Sequence, residues 1–248
     1  MKKINVKLLA FIATVSVVSI FSCTKSTITP SATVPDVYKK IYGATDIYVD
    51  GDYIVIKSTG LPDHKSPYYQ GTQWSSMYEA YNGTNSNWSQ NPNKIAQFSY
   101  TFKIPKNPTV ASSHAATPLG AIGVSLNGVP FYNQYAGPNT PLTNEINSFD
   151  QYDGHPQQQG AYHYHAEPYY LTTAKGEGAL LGFLLDGFPV YGPLENSATI
   201  TNSDLDAYHG HTAGTTDYPN GIYHYHTTSA APYINGNGFY GTAGTVSQ

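Results

Sequence analysis

Short apolar runs, each bounded by glycine, proline or asparagine, recur along most of the chain. Their length and their β-branched and aromatic content predict β-strands, at residues 47–49, 53–57, 97–104, 121–126 and 180–185. Three of these runs end at an Asx-Gly pair, which is typical of a tight hairpin turn: Asp50-Gly51, Asn127-Gly128 and Asp186-Gly187. The pattern therefore predicts strands joined by hairpins.

Helical periodicity is weak by comparison. Only residues 73–81 and 202–207 have room for one or two helical turns, because proline and glycine interrupt most other stretches. We therefore predict an all-β fold, mostly β with long loops, arranged as a sandwich or an open barrel.

One series of motifs occurs twice in the chain. Tyr162-His163-Tyr164-His165 returns as Tyr223-His224-Tyr225-His226, and each copy follows a Gly-His pair, Gly154-His155 or Gly210-His211. Further upstream, residues 123–132 are similar to residues 182–191. Motifs that keep their order while loop lengths drift indicate a duplicated unit. We predict a single domain over residues 36–248 that contains two repeats, about 119–171 and 178–234.

These motifs resemble the YHYH-domain proteins of bacteria. The resemblance runs from about residue 52 to residue 241 and includes the segments 60–64, 126–132, 154–156, 186–193, 210–212, and Pro232-Tyr233. It implies no particular reaction, because that family has no established activity. Relatives in the family place cysteines near the histidine motifs, whereas this chain has Tyr152, Tyr170 and Tyr208 there. The resemblance thus implies no disulfide in this member.

The first 22 residues have the pattern of a lipoprotein signal peptide. Three lysines precede an apolar run over residues 8–21, which is too short to span a bilayer as a helix. Ser22 then precedes Cys23, the only cysteine, in a context similar to a lipobox. We expect cleavage before Cys23, which becomes the new amino-terminal residue and is acylated. The alternative is a plain secretory signal followed by a buried thiol.

This signal has consequences for localisation. Residues 23–35 are rich in serine, threonine and proline and predict a flexible tether between lipid and domain. The expected place is the cell envelope, with the protein lipid-anchored to a bacterial membrane on its periplasmic or outer surface.

Charge excludes some partners. Without residues 1–22 the chain has nine lysines, sixteen carboxylates and no arginine, which gives a formal charge of −7. A nucleic-acid partner is therefore not expected, because phosphate neutralisation requires a basic face. Phosphate-rich substrates held by bidentate guanidinium groups are disfavoured for the same reason.

Six of the nine histidines lie in the repeated motifs. In an extended strand, two histidines in a His-x-His sequence project from one face, and the Gly-His residue upstream supplies a third imidazole. Imidazole ligands without thiolates suit zinc or copper. The alternative is that the imidazoles donate to backbone carbonyls and bind no metal. The predicted metal ligands are His155, His163 and His165 in the first repeat, and His211, His224 and His226 in the second.

Other residues near the motifs are candidates for orienting the ligands or for moving protons. For each a structural role is the alternative: the tyrosines pack as core, the Asp-Gly pair forms a turn, and a loop histidine lies at the surface. Asp153, Glu167 and Asp206 are most simply solvated. The candidates are Tyr162, Tyr164, Tyr223, Tyr225, His209, His64 and Asp186.

Three functions remain open from the sequence. The first is a metal-dependent hydrolase or oxidoreductase, in which the metal activates water or oxygen species. The second is a non-catalytic protein that sequesters or senses a metal. The third is an interaction or carbohydrate-binding module, in which a small molecule or glycan stacks on aromatic residues of the loop from Trp74 to Trp88.

Overall fold

A computed structural model describes Met1 and residues 33–248 of the chain. The predicted signal peptide, Cys23 and most of the tether lie outside the described residues. Within residues 33–248 the chain is mostly β-structure. The strands are β1 (Ala44–Asp50), β2 (Tyr53–Ser58), β3 (Tyr100–Pro105), β4 (Ala121–Ser125), β5 (Pro130–Tyr132), β6 (Tyr135–Ala136), β7 (Thr140–Pro141), β8 (Gly154–Pro156), β9 (Tyr162–Tyr164), β10 (Leu180–Leu184), β11 (Pro189–Tyr191), β12 (Leu194–Glu195), β13 (Ala198–Thr199), β14 (Gly210–Ala213), β15 (Ile222–His226) and β16 (Thr245–Ser247).

One α-helix and several single 3-10 turns complete the secondary structure. The helix, α1, spans Tyr169–Lys175, and the sequence pattern did not predict it. It is short, it contains β-branched threonines, and Gly176 ends it with a φ of 102°. Seven such residues give no readable helical period. The 3-10 turns are Tyr38–Lys40, Pro67–Tyr69, Ser75–Met77, Glu145–Ser148 and Asn202–Asp204.

Two sheets share one apolar core. The smaller sheet has the order β1-β2-β3-β16, and the larger has the order β14-β15-β11-β10-β4-β5-β9-β8. Ile54 and Phe102 of the smaller sheet belong to the same buried cluster as Phe131 and Phe183 of the larger. Each such side chain contributes about 1.5–3 kcal/mol when fully buried. This sandwich-like packing confirms the predicted all-β fold. No helix among the described residues is long and apolar enough to cross a membrane.

The larger sheet has the same strand order from either edge once the two repeats are exchanged. β4 pairs antiparallel with β10 at its centre, and the pair Val124–Phe183 lies on the pseudo-twofold axis. On either side of it, Gly182 faces Ser125 and Gly123 faces Leu184. A methyl group at Gly182 would lie 2.2 Å from the carbonyl oxygen of Val124, so only glycine permits this approach.

The symmetric sheet places the two Tyr-His-Tyr-His motifs at opposite ends. One motif lies on β9 and the other on β15, so both are extended, as predicted. β9 pairs with β8, and β15 pairs with β14. β8 and β14 are the two outermost strands of the sheet. The predicted histidines therefore form two separate groups.

Candidate metal centres

Strand pairing places the histidine of the Gly-His pair beside the histidines of the Tyr-His-Tyr-His motif in each repeat. His155 on β8 lies directly opposite His163 on β9, and His211 on β14 lies opposite His224 on β15. The third imidazole, His165 or His226, is two residues further on and so projects from the same face.

The first site consists of Glu145, His155, His163 and His165. Nε2 of His163 lies 3.1 Å from Nε2 of His155 and 2.9 Å from Nε2 of His165. Oε1 of Glu145 lies 3.1 Å from Nε2 of His155 and 3.7 Å from Nε2 of His165. Four donor atoms thus converge on one point.

The second site consists of Glu195, His211, His224 and His226. Nε2 of His211 lies 3.1 Å from Nε2 of His224 and 3.2 Å from Nε2 of His226. The two carboxylate oxygens of Glu195 each lie 3.3 Å from an imidazole Nε2, that of His211 or His224. The donor set is the same as in the first site.

Hydrogen bonds at Nδ1 fix the tautomer of two imidazoles in the first site. Nδ1–H of His163 donates to the carbonyl of Ala161 at 2.9 Å, and Nδ1–H of His165 donates to the carbonyl of Asn133 at 2.5 Å. Nδ1 of His155 lies 2.8 Å from the hydroxyl of Ser148. The side-chain amide of Asn91 also lies 3.3 Å from this Nδ1. Nε2 of His163 and Nε2 of His165 therefore each present a lone pair to the centre.

The second site repeats this device. Nδ1–H of His224 donates to the carbonyl of Ile222 at 3.0 Å, and Nδ1–H of His226 donates to the carbonyl of Gly192 at 2.7 Å. Nε2 of His224 and Nε2 of His226 therefore each present a lone pair to the centre of the second site. Oε1 of Glu195 adds to this, since it is buried and has no hydrogen-bond partner. In the first site the lone pairs of His163 and His165 face one another at 2.9 Å, where they repel unless a cation lies between them.

Burial keeps three of the imidazoles neutral. Removal from water lowers the pKa of His163 well below its ordinary value, and lowers the pKa of His165 to about 4. Burial likewise lowers the pKa of His226 to about 4. Neutral imidazole is the form that binds a metal ion, so these ligands need no deprotonation at pH 7.

The spacing of the donors fits a transition metal. A zinc–nitrogen bond is about 2.0–2.1 Å, and tetrahedral ligands are then about 3.3 Å apart. The Nε2 atoms lie 2.9–3.2 Å apart, and the four donors of each group lie within 4.8 Å of one another. Each group could therefore hold one metal ion, through three imidazoles and one carboxylate.

The two glutamates are ligand candidates that sequence reasoning missed. Glu195 lies on β12, whereas Glu145 begins a 3-10 turn that follows β7. They are 50 residues apart, while the equivalent histidines are 56 or 61 apart. Because different elements deliver them, no alignment of the repeats pairs them. The same donor type thus reaches both sites by separate routes.

Two aspartates shape the Gly-His turns. Oδ1 of Asp150 accepts from the amide of Gly154 at 3.4 Å, and Oδ1 of Asp206 accepts from the amide of Gly210 at 3.2 Å. The residue before each glycine is left-handed, with φ 61° at Asp153 and 75° at His209. Asp206 is exposed, as expected, and it also organises the turn that presents His211.

The motif tyrosines project away from the metal sites. The hydroxyl of Tyr162 donates to Asp150 at 2.8 Å, and that of Tyr223 donates to Asp206 at 2.9 Å. These two tyrosines therefore brace the Gly-His turns from behind.

The second tyrosine of each motif contacts an Asx-Gly turn. The hydroxyl of Tyr164 accepts from Asn127 at 3.1 Å, and that of Tyr225 donates to Asp186 at 2.6 Å. Among these contacts, no hydroxyl of the four tyrosines reaches an imidazole of either site.

Three other candidates also lie outside both sites. His64 contacts the hydroxyl of Tyr164 at 3.1 Å, on the opposite side of β9 from the metal ligands. His209 contacts the hydroxyl of Thr228 at 3.0 Å. Asp186 is buried, which raises its pKa to about 6, and it accepts from Tyr225 and the Gly241 amide. The hydrogen bonds of all three are to groups outside the two metal sites.

Each site opens onto a cleft. The cleft of the first site has a volume of about 490 Å³, and Tyr132, which stacks on His163 at 3.8 Å, forms part of its wall. The cleft of the second site has a volume of about 460 Å³ and includes Tyr191, the equivalent tyrosine.

The loop from residue 74 to residue 88 was the candidate surface for stacking a glycan. In this loop one face of the Trp88 ring is covered by the ring of Tyr81, with the ring centres 4.3 Å apart.

Comparison with known proteins gives one match. The family model described as YHYH protein matches residues 101–203 and 194–239. Neither the curated proteins nor the solved structures include a match to this chain.

Proposed function

The chain belongs to the YHYH protein family, and we propose that it is an exported, lipid-anchored protein that binds one transition-metal ion at each of its two sites. The observation that carries this proposal is the two imidazole lone pairs, on His163 and His165, that face one another at 2.9 Å in the first site. With the Nδ1–H groups of both rings engaged elsewhere, these Nε2 atoms have no proton to share. A bound cation removes the repulsion. The second site has the same set of donors.

The metals we propose are zinc and copper. Both accept three imidazoles with a carboxylate, and both occur in four-coordinate sites. Four donors from the protein fill such a site, which favours metal holding over turnover. The proposed location at a bacterial membrane is supported by the signal-like residues 1–22 and by Cys23.

Elemental analysis of the purified protein tests this function. Wild-type protein reconstituted with zinc and then desalted should carry two ions per chain. Replacing both His163 and His165 with alanine should leave one ion, and so should replacing both His224 and His226. His64→Gln and His209→Gln serve as controls and should keep two ions, because these histidines lie outside the sites.

Folding of each variant is checked by circular dichroism. A milder variant, Glu195→Gln, should bind zinc about tenfold more weakly at the second site because it loses a charged ligand. Wild-type protein without zinc after reconstitution, or double variants that keep both ions, would overturn the proposal.

A metal-dependent hydrolase is the second candidate, and the cleft at each site favours it. In that case a metal bound by three histidines would supply an acidified water molecule. Glu145 and Glu195 would then accept its proton instead of binding the metal. Glu145→Gln and Glu195→Gln separate the two roles. If the glutamate acts as a base, the variant keeps its metal but loses ester hydrolysis. If the glutamate is a metal ligand, the variant binds the metal more weakly.

A further inference from the structure

A large cleft beside the second site concentrates positive charge. It has a volume of about 740 Å³, and its walls include Lys39, Lys40 and Lys175. The chain has no arginine, and residues 33–248 contain eight lysines. Three of those eight line this cleft, on a protein that is acidic overall. The cleft therefore favours an anion.

This lysine cleft adjoins the cleft of the second metal site. Gly178, Tyr191 and Thr216 line both. A small ligand in the lysine cleft would therefore share a wall with the metal ligands.

Direct contacts also connect the lysines to the metal site. The ring of Tyr191 lies 5.2 Å from the ring of His224, and its hydroxyl donates to Oδ2 of Asp217 at 2.9 Å. Oδ1 of Asp217 pairs with the ammonium of Lys40. An unbroken series of contacts thus runs from a cleft lysine to a metal ligand.

The first site has no such neighbour. Its cleft is lined by amide side chains, including Asn91, Asn93 and Gln157, and by no lysine of the described residues. Tyr132, the counterpart of Tyr191, stacks flat on His163 instead of reaching a carboxylate. Two sites with the same donors therefore face different chemical surroundings.

The lysines of the cleft differ in their partners. Lys40 pairs with Asp217, whose side chain is only 8% exposed, while Lys39 pairs with Asp36 at the surface. Lys175 forms no ion pair within residues 33–248, and its ammonium lies 5.2 Å from the ring centre of Tyr42. The carboxylate of Asp217 thus already lies between Lys40 and Tyr191. Lys175 has no carboxylate partner among the described residues.

We propose that the lysine cleft binds a small organic carboxylate that lies against the second metal site. The contact with the metal site rests on the function proposed above. A carboxylate is favoured because Asp217 shows that this chemistry fits between Lys40 and Tyr191. Phosphate, which lysine ammonium groups also bind, is the competing anion.

Calorimetric titration at low salt tests the cleft, with succinate and inorganic phosphate as probes. Zinc-loaded protein should bind succinate at one site per chain, and more tightly than phosphate. Lys40→Met and Lys175→Met should each weaken succinate binding about tenfold. Lys94→Met and Lys103→Met are matched controls from outside the cleft and should leave it unchanged.

A variant with the opposite effect makes the test sharper. Asp217→Asn removes the carboxylate that competes for Lys40, so succinate should bind more tightly. Asp46→Asn, which releases the surface lysine Lys57, should have no effect. Tighter binding of phosphate, no binding of succinate, or succinate binding as tight in the Lys40→Met and Lys175→Met variants as in the wild type would each overturn the proposal.

The same titration on metal-free protein separates the two proposals. If the zinc ion in the second site contacts the bound succinate, zinc should tighten succinate binding about fivefold or more. Equal affinity with and without zinc would reject the contact with the metal. Failure of the wild type to hold zinc would reject the metal proposal alone, because the lysine variants still test the cleft in metal-free protein.

Discussion

The Nε2 atoms of His163 and His165 lie 2.9 Å apart, while the Nδ1–H group of each ring donates to a backbone carbonyl. Neither ring has a proton to place between the two nitrogens. A protein that holds such a contact must gain from a cation there or pay in stability without one. Several measurable consequences arise from this relationship.

Metal removal should lower the melting temperature. A ligand present at a thousandfold excess over its Kd stabilises the folded state by about 4 kcal/mol. For a domain of this size, 1 kcal/mol corresponds to about 2–4 °C. Treatment with a chelator should therefore lower Tm by about 10 °C or more in calorimetry, and added zinc should restore it where magnesium does not. Identical melting before and after chelation would contradict metal binding.

Metal-free protein should lose stability as the pH falls from about 6.5 to about 4. Burial lowers the folded-state pKa of His165 and His226 to about 4. A depressed pKa contributes stability above the unfolded value, near 6.5, and that stability disappears as the pH falls through the folded value. The loss is up to about 3 kcal/mol for each histidine.

Asp186 acts in the opposite direction over part of this range. Burial raises its pKa to about 6, so protonation between pH 6 and 4 favours the folded state. Urea unfolding of metal-free wild type should therefore be compared with His165→Gln and His226→Gln, whose stability should depend less on pH. Equal pH profiles for the three proteins would contradict this prediction.

Loss of Asp150 should cost more than loss of Asp206. Asp150 is 2% exposed and accepts from Ser66, Tyr162 and the Gly154 amide, so Asp150→Ala leaves several buried donors unpaired. We expect a loss of about 3 kcal/mol in urea unfolding, against about 1 kcal/mol for Asp206→Ala, which lies at the surface.

The conservative variant Asp150→Asn is the control for this pair. It keeps the Oδ1 acceptor for the turn, so it should retain more stability than alanine. Weaker zinc binding at the first site should accompany Asp150→Ala, because the turn that presents His155 loosens. Equal losses for Asp150→Ala and Asp206→Ala would mean that burial does not set the cost.

Cys23 should carry the lipid. In cells grown with an alkyne-labelled fatty acid, wild-type protein should become labelled and should sediment with membranes. Cys23→Ser should abolish the label and release the domain, whereas Ser26→Ala, a change in the same tether, should leave both unchanged. Membrane association without label in the Cys23 variant would reject the lipid anchor.

Sequence reasoning found the parts of this protein that depend on local pattern. Short apolar runs and Asx-Gly turns predicted β4 and β10, and duplication singled out the histidines of both sites. Glu145 and Glu195 escaped because loops of unequal length bring them in, and a repeat comparison sees only shared positions. The helix α1 escaped because its seven residues owe their form to packing of Leu171 and not to propensity.

The central joint between β4 and β10 has the geometry by which two identical subunits form a symmetric dimer. In a true homodimer one gene encodes both halves, so every substitution appears in both metal sites at once. Here the halves lie in one polypeptide and each can change alone. The carboxylates Glu145 and Glu195, delivered by different elements, and the lysines beside only one site, are differences that a homodimer could not have acquired.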